Sequence, residues 1–151
     1  MEKFRVLFFY PNGKLMNPPA ISIGIFTALL KQNGFEADLF DSTLYSGLDS
    51  KGSDEAKEEN LQVRPSNYGS RGVKLKDSNF EDDLISKIET FKPDLIAISG
   101  LECTYSITLL MLKAIEKFDI PVIAGGVFAT FAPDIILSHK NVSMVCIGEG
   151  E

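Results

Sequence analysis

Three short apolar segments, each followed by a turn of small residues, constrain the fold of this chain more than any other feature. They occupy residues 94–101, 121–126 and 145–151. Each begins like a buried β-strand, because it is short, continuously apolar and bounded by turn formers. In an α/β protein with parallel strands, ligands lie beyond the carboxyl ends of the strands. The sequence therefore predicts that a serine, several glycines and the terminal carboxylates line one edge of one sheet.

The whole chain alternates strands with helices. Strands are predicted at residues 5–10, 36–41, 94–99, 121–124 and 142–147, and helices at 20–33, 104–118 and 133–138, with one further helix between a cap at Ser78 and Pro93, which ends it. This alternation is typical of a parallel sheet with right-handed crossovers. We therefore predict an α/β fold, a five-stranded parallel doubly wound sheet of the flavodoxin-like or Rossmann-like order 2-1-3-4-5.

Two of the helices carry specific signals. Residues 20–33 are apolar nearly all round until Lys31, which predicts a buried helix that ends with Gly34 as its C′ cap. Ser78 and Glu81 have the spacing of a capping box at the start of the next helix. One face of that helix is marked by Phe80, Leu84, Ile88 and Phe91.

Bulk properties exclude several classes of protein. A length of 151 residues predicts one domain, and a net charge of −6 without a long basic run argues against nucleic-acid binding. The apolar stretches are shorter than the roughly 20 residues of a membrane span, and a secretory signal is not expected. Cys103 and Cys146 form no CxxC pattern, so we expect no metal motif and a reduced, cytoplasmic setting.

Residues 42–78 differ from the rest in composition, since they are rich in Ser, Gly, Lys and Glu and poor in large apolar residues. A loop of this length inside a compact domain is usually functional or mobile. We expect a long, variable and mobile segment, with a short helix at about 53–63.

Known phosphate-binding motifs are absent from the sequence. No GxGxxG follows the first strand and no GxxxxGK[ST] occurs, which argues against a dinucleotide fingerprint and a P-loop. A phospho-receiver domain would need an acidic pair after the first strand and a carboxylate after the third. This chain has Tyr10-Pro11-Asn12 and Ser99 at those places.

The motifs that remain follow one another in a specific order. They are Pro18-Pro19 leading into a helix that holds Gly24, then Ser99-Gly-Leu101, then Gly125-Gly126 followed by Val127-Phe-Ala-Thr130, and finally Gly148-Glu-Gly-Glu151. In this order and spacing, nearly the whole chain resembles the cobalamin-binding domain that precedes the catalytic core of radical S-adenosylmethionine enzymes.

The resemblance implies that the nucleotide tail of cobalamin inserts between strand edges, while the corrin rests on the loop after the first strand. Ser99 would hydrogen-bond near the base of the tail, and Gly125 and Gly126 would let the tail lie against the backbone. The cofactor-binding candidates are Asn12, Leu15, Met16, Asn17, Ser99, Gly100, Leu101, Gly125, Gly126, Val127, Gly148 and Glu149.

The chain departs from many cobalamin modules in one respect. Those modules carry Asp-x-His-x-x-Gly after the first strand, and its histidine ligates cobalt. The loop at 11–17 contains no histidine here, which implies base-off cobalamin without a protein imidazole ligand. The residue facing cobalt is left open among Asn12, Leu15, Met16 and Asn17.

Some of these residues also have purely structural interpretations. Ser99 could cap a turn, and the glycine pair could serve the turn alone. We interpret Cys103 as a small buried hydrophobe, Cys146 as core within the fifth strand, and His139 as a surface residue far from the site. Glu149 and Glu151 could contact a ligand or a following domain, or they could simply be solvated acidic residues. The sequence does not separate these alternatives.

We therefore expect residues 1–151 to form one cobalamin-binding domain at the N-terminal side of a longer enzyme. The full-length protein would carry a radical barrel after Glu151, with a 4Fe-4S cluster and S-adenosylmethionine, and would resemble a methyltransferase or a ring-forming relative. The CxxxCxxC cluster motif is absent here, so no catalytic residue is assigned. The alternatives are a ligand-free interaction domain that packs on the barrel, and a flavodoxin-like domain for another nucleotide.

Overall fold

The structure is a computed structural model that describes residues 3–13, 17–18, 20–48, 58–62, 64 and 69–150. Five parallel strands form one sheet in the order β2-β1-β3-β4-β5. They are β1 (Arg5–Tyr10), β2 (Glu36–Asp41), β3 (Leu95–Ser99), β4 (Val122–Gly125) and β5 (Met144–Val145). The predicted α/β class and strand order are confirmed.

Helices cover both faces of the sheet. They are α1 (Ile21–Gln32), α2 (Phe80–Phe91), α3 (Tyr105–Ala114), α4 (Val127–Phe131) and α5 (Pro133–Leu137). Helices α2 to α5 share the larger core on one face, while α1 packs on the other, which we call the α1 face. The described part of the chain contains no helix long and apolar enough to cross a membrane.

Side-chain alternation along the strands decides which residues reach each face. Ile96 and Ile98 of β3 lie in the larger core, whereas Leu95 and Ala97 pack against the smaller cluster beneath α1. Because side chains alternate along a strand, Ser99 lies on the α1 face. The same alternation puts Gly125 there, since Val122 and Ala124 belong to the larger core.

Helix α1 is less buried than its sequence predicts. Only Ile23 is fully buried, while Ile21, Ile25 and Leu29 are 81%, 42% and 41% exposed. The apolar pattern predicts burial on all sides, but α1 is the only helix described on its face of the sheet. The predicted buried helix is therefore wrong, and an apolar side of α1 remains open. Gly34, with φ of +85°, takes the predicted capping conformation.

Helix α2 begins one residue later than the capping box predicts. Asn79, not Ser78, is the N-cap residue, and its Oδ1 accepts hydrogen bonds from the backbone N–H groups of Glu81 and Asp82 at 2.8 and 3.1 Å. The Ser78 hydroxyl instead donates to Asp83 at 2.6 Å, which holds the pKa of that carboxyl below its usual value. The predicted apolar face of the helix is confirmed, with Phe80, Leu84 and Ile88 buried.

Replacing Asn79 by alanine should lower the free energy of unfolding by about 1 kcal/mol, the usual cost of losing an N-cap side chain. Ser78→Ala, the matched control, removes one exposed hydrogen bond and should cost less. Urea denaturation of both variants measures the difference. A larger loss for Ser78→Ala would restore the capping-box assignment.

The long segment 42–78 is anchored at both ends. Tyr45 is 1% exposed, and its hydroxyl donates to Asp83 at 2.7 Å. Around it, the N–H of Ser46 donates to Lys76 O at 3.0 Å, and Tyr45 and Lys76 form a parallel bridge. The described ends of the segment are therefore packed against the domain, and the predicted mobility of the segment stays a prediction. Most of the helix predicted at 53–63 falls outside the described residues.

The C-terminal third differs from the prediction in detail. Helix α4 was not predicted, and β5 is limited to two residues that pair with Ile123 and Ala124. Cys146 follows β5, where its N–H donates to Ala124 O at 2.8 Å, and it is half-buried. The prediction that Cys146 belongs to the strand core is wrong, because no further strand flanks β5 in the described residues.

Candidate functional site

The predicted edge of the sheet is assembled by β3 and β4. Ser99 and Gly125 are register partners at the carboxyl ends of these strands, both on the α1 face and both half-buried. The loops that follow are joined by backbone hydrogen bonds, from Gly100 N to Gly125 O at 3.3 Å and from Phe128 N to Gly100 O at 3.5 Å. We call Ser99, Gly100, Gly125 and Gly126 the glycine edge.

The two paired glycines of this edge meet different surroundings. Gly126 has φ of +91°, and a Cβ there would lie 3.0 Å from Gly100 O and 3.4 Å from Ser99 Oγ. Gly126 is therefore required by the fold, because a side chain would strain the turn and collide with backbone. Among the described residues, a Cβ on Gly125 would meet Cys146 Cβ at 3.7 Å, which is an ordinary contact. The described fold therefore does not itself require glycine at this position.

The remaining C-terminal candidates surround the glycine edge. Leu101 is half-buried and exchanges hydrogen bonds with the Thr104 hydroxyl, while Val127 is exposed at the start of α4. Gly148 N donates to Thr130 Oγ1 at 3.2 Å, which holds the exposed 148–149 segment next to α4. The structure thus brings these predicted residues to the same end of the sheet.

The loop after β1 lies at this end as well. Asn12 and Asn17 are hydrogen-bonded to each other, whereas Leu15 and Met16 fall outside the described residues. The Tyr10 hydroxyl donates to Pro18 O at 2.6 Å. Burial raises the pKa of Tyr10, with further contributions from Asp41 and Cys103.

Two residues lie in surroundings that the sequence did not predict. Cys103 is exposed in a turn at Glu102–Thr104, so its interpretation as a buried hydrophobe is wrong. His139 is half-buried, and its Nε2 lies 2.6 Å from the Tyr105 hydroxyl, so it is not a plain surface residue. The helix before it has only five residues, which leaves His139 beside α3. Its Nε2 atom is therefore engaged in a hydrogen bond within the protein.

Two side chains at the end of β2 were missed by the sequence analysis. Ser42 is fully buried and bonds to both backbone polar groups of Asn12, while Thr43 bonds to the Asn12 side chain. Their position in the sequence could have indicated this role, because polar residues that directly follow a parallel strand lie at the ligand-binding edge of the sheet. The sequence alone did not reveal that they contact a loop about 30 residues away.

The described concavities do not replace the glycine edge as a candidate site. Openings of about 500 and 410 Å³ flank the edge strand β2, and Leu39 and Asp41 line both. The first contains Tyr45, Lys76 and Lys87 and is bordered by the Lys87–Asp38 ion pair. Among the described residues, no group of three His, Cys, Asp or Glu side chains could hold a metal ion.

Comparison with solved structures supports the fold. The chain is similar to the radical S-adenosylmethionine methyltransferase TsrM from Kitasatospora setae with cobalamin and a 4Fe-4S cluster bound, at 17% identity and a TM-score of 0.59 over 91% of this chain. A second TsrM structure, with tryptophan and an S-adenosylmethionine analogue bound, is 18% identical and has a TM-score of 0.58 over 89% of this chain. The chain spans only 21% of either TsrM chain. No curated protein sequence matches it.

The family assignment comes from sequence. The family model of the B12 binding domain matches residues 66–151, which is more than half of the chain. The matched region contains the whole glycine edge and the 148–149 segment. Vitamin B12 is cobalamin, so the predicted family and the predicted cofactor are confirmed. The chain belongs to the B12-binding domain family.

Proposed function

We propose that this chain binds cobalamin at the glycine edge and acts as the cofactor domain of a radical S-adenosylmethionine enzyme. The observation that carries the proposal is the space at Gly125. Among the described residues, a Cβ at Gly125 would make only an ordinary contact of 3.7 Å, with Cys146 Cβ, so the fold itself does not require glycine next to Ser99. A flat ligand that lies against backbone needs such a surface.

The residues of the edge have distinct roles in this proposal. Ser99 offers a hydroxyl for a polar group of the nucleotide tail, and Gly125 admits the tail to the backbone. Gly100 keeps the two loops close enough to form one surface, through backbone hydrogen bonds of 3.3 Å to Gly125 and 3.5 Å from Phe128. Gly126 packs so closely on Gly100 that a Cβ would not fit. Leu101 and Val127 add apolar surface, and Gly148 and Glu149 border the site.

The lower face of the corrin would rest on the loop after β1, and cobalamin would be bound base-off. That loop has no histidine, and the single histidine of the chain, His139, is bonded to Tyr105. Asn12, Leu15, Met16 and Asn17 remain the residues of that loop proposed to lie near the cofactor. Bound cobalamin supplies a cobalt centre that carries a methyl group, while the protein positions it.

The activity of the whole protein is a further part of the proposal. A barrel with a 4Fe-4S cluster and S-adenosylmethionine would provide the radical chemistry, in a methyltransferase or a ring-forming relative. The support is the likeness in fold to TsrM and the order of motifs up to Glu151. Substrate recognition would belong to that barrel.

Binding is tested by mixing the chain with hydroxocobalamin, desalting it, and recording the visible spectrum, with equilibrium dialysis for affinity. We expect cobalamin to be retained with a base-off spectrum. His139→Ala should leave that spectrum unchanged, because the imidazole is engaged by Tyr105. No binding at ligand concentrations on the order of 100 μM would instead favour the ligand-free interaction domain.

A further inference from the structure

A hydrogen-bonded cluster closes the base of the loop after β1. It consists of Asn12, Asn17, Ser42 and Thr43, and we call it the Asn12 clamp. Asn12 and Ser42 are both 0% exposed. Asn12 Nδ2 donates to Asn17 O at 3.0 Å and to Thr43 Oγ1 at 2.9 Å, and its Oδ1 accepts from Asn17 N at 3.2 Å and Asn17 Nδ2 at 3.0 Å.

The orientation of the Asn12 amide is fixed by its backbone partners. The carbonyl oxygen of Asn17 only accepts hydrogen bonds, so it must face the NH₂ group. The backbone N–H of Asn17 only donates, so it must face the Oδ1 atom. The two amide hydrogens and the two acceptor positions of Asn12 are therefore all in use. A buried amide in this state has no group left for a ligand.

The clamp also attaches the loop to the neighbouring strand. The backbone N–H of Asn12 donates to Ser42 Oγ at 2.8 Å, and the Ser42 hydroxyl reaches Asn12 O at 2.8 Å. Thr43, which accepts from Asn12, donates its own hydroxyl to Asp41. The end of β2 thus holds Asn12 directly, and Asn17 only through its hydrogen bonds with Asn12.

We propose that Asn12, Ser42 and Thr43 are positioning residues that fix the described ends of the loop after β1, at Asn12 and Asn17, beneath the corrin. This inference rests on the proposed function, and it removes Asn12 from the residues that could face cobalt. The end of β2 then controls where Asn17 lies without contacting the cofactor.

Thr43 provides the sharpest test, because two substitutions separate its hydroxyl from its shape. Thr43→Val keeps the shape but leaves one buried Asn12 hydrogen without an acceptor, whereas Thr43→Ser keeps the hydroxyl. For Thr43→Val we expect roughly tenfold weaker cobalamin binding, the factor that corresponds to one unsatisfied buried group. Thr43→Ser should bind like the wild type.

Two readouts distinguish positioning from simple stabilisation. The electron paramagnetic resonance spectrum of bound cob(II)alamin reports the axial surroundings of cobalt, and it should change in Thr43→Val but not in Thr43→Ser. Hydrogen exchange of the Asn17 amide, measured without cobalamin, should become about tenfold faster in Thr43→Val if the clamp opens. Asn12→Asp, which places an acceptor against Asn17 O, should have a larger effect on all three measurements.

The outcomes separate this inference from the proposed function. If Thr43→Val exchanges faster but matches Thr43→Ser in affinity and spectrum, the clamp only stabilises the loop and the positioning role is overturned. If Thr43→Val exchanges like the wild type, the clamp does not depend on Thr43 and the role is overturned as well. If the wild type itself binds no cobalamin, the proposed function is wrong, and the positioning role, which depends on it, is wrong as well.

Discussion

Gly126→Ala is expected to lower the free energy of unfolding by about 3 kcal/mol, the sum of backbone strain and overpacking. Gly126 has φ of 91° and ψ of −174°, a region that residues with a Cβ rarely adopt. The added methyl group would also lie 3.0 Å from Gly100 O and 3.3 Å from Gly100 N. Neither backbone atom moves without breaking the contact between the two loops.

Chemical denaturation measures this loss, and Gly24→Ala provides the matched control. Gly24 is exposed in α1, and a Cβ there would meet nothing within 4 Å. Because alanine is the better helix former, Gly24→Ala should raise the free energy of unfolding by about 0.5–1 kcal/mol. If Gly126→Ala proved as stable as the wild type, Gly126 would serve a ligand rather than the turn.

The strands and their order could be predicted because each strand is a short apolar run between turn formers. Parallel topology then required Ser99 and Gly125 to share one edge, and the register pairs them. Burial of α1 could not be predicted in the same way. An apolar helix sequence indicates that burial of its side chains is favourable, but the pattern does not reveal whether another element covers each side of the helix.

The cap of α2 and the Asn12 clamp show why local signals were insufficient. Ser78 and Asn79 are both good N-cap residues, and only the path of the backbone decides between them. Asn12 and Ser42 are 30 residues apart in sequence. Their contact depends on parallel pairing of β1 with β2, which brings the two carboxyl ends together, and on side-chain geometry that periodicity does not encode.

The two adjacent glycines of the glycine edge are glycine for two different physical reasons. A glycine can be needed because the backbone adopts positive φ, or because something must approach the backbone closely. Gly126 meets the first requirement inside the protein itself, so its presence is no evidence for a ligand. Gly125 does not have a positive φ, and a Cβ there would make only an ordinary contact with Cys146 among the described residues. The residue that decides between a cofactor domain and a ligand-free interaction domain is therefore Gly125.

Gly125→Ala should weaken cobalamin binding by roughly 10- to 100-fold while the protein remains folded, since overpacking by one methyl group commonly costs about 1–3 kcal/mol. The methyl group would project on the α1 face next to Ser99, where the tail is proposed to lie. Within the protein it would make only an ordinary contact of 3.7 Å with Cys146 Cβ. Stability should be unchanged or slightly higher, because alanine restricts the unfolded chain.

Equilibrium dialysis and denaturation on the same preparations decide this prediction. Ser99→Ala is the comparison, because it removes a hydroxyl without adding volume, and it should weaken binding only about fivefold, as expected for one lost hydrogen bond. A Gly125→Ala protein that binds cobalamin as tightly as the wild type would mean that the ligand does not lie against this backbone. A folded Gly125→Ala protein with lost affinity would instead place the nucleotide tail on the α1 face between β3 and β4, because the methyl group would otherwise add only an ordinary contact with Cys146 among the described residues.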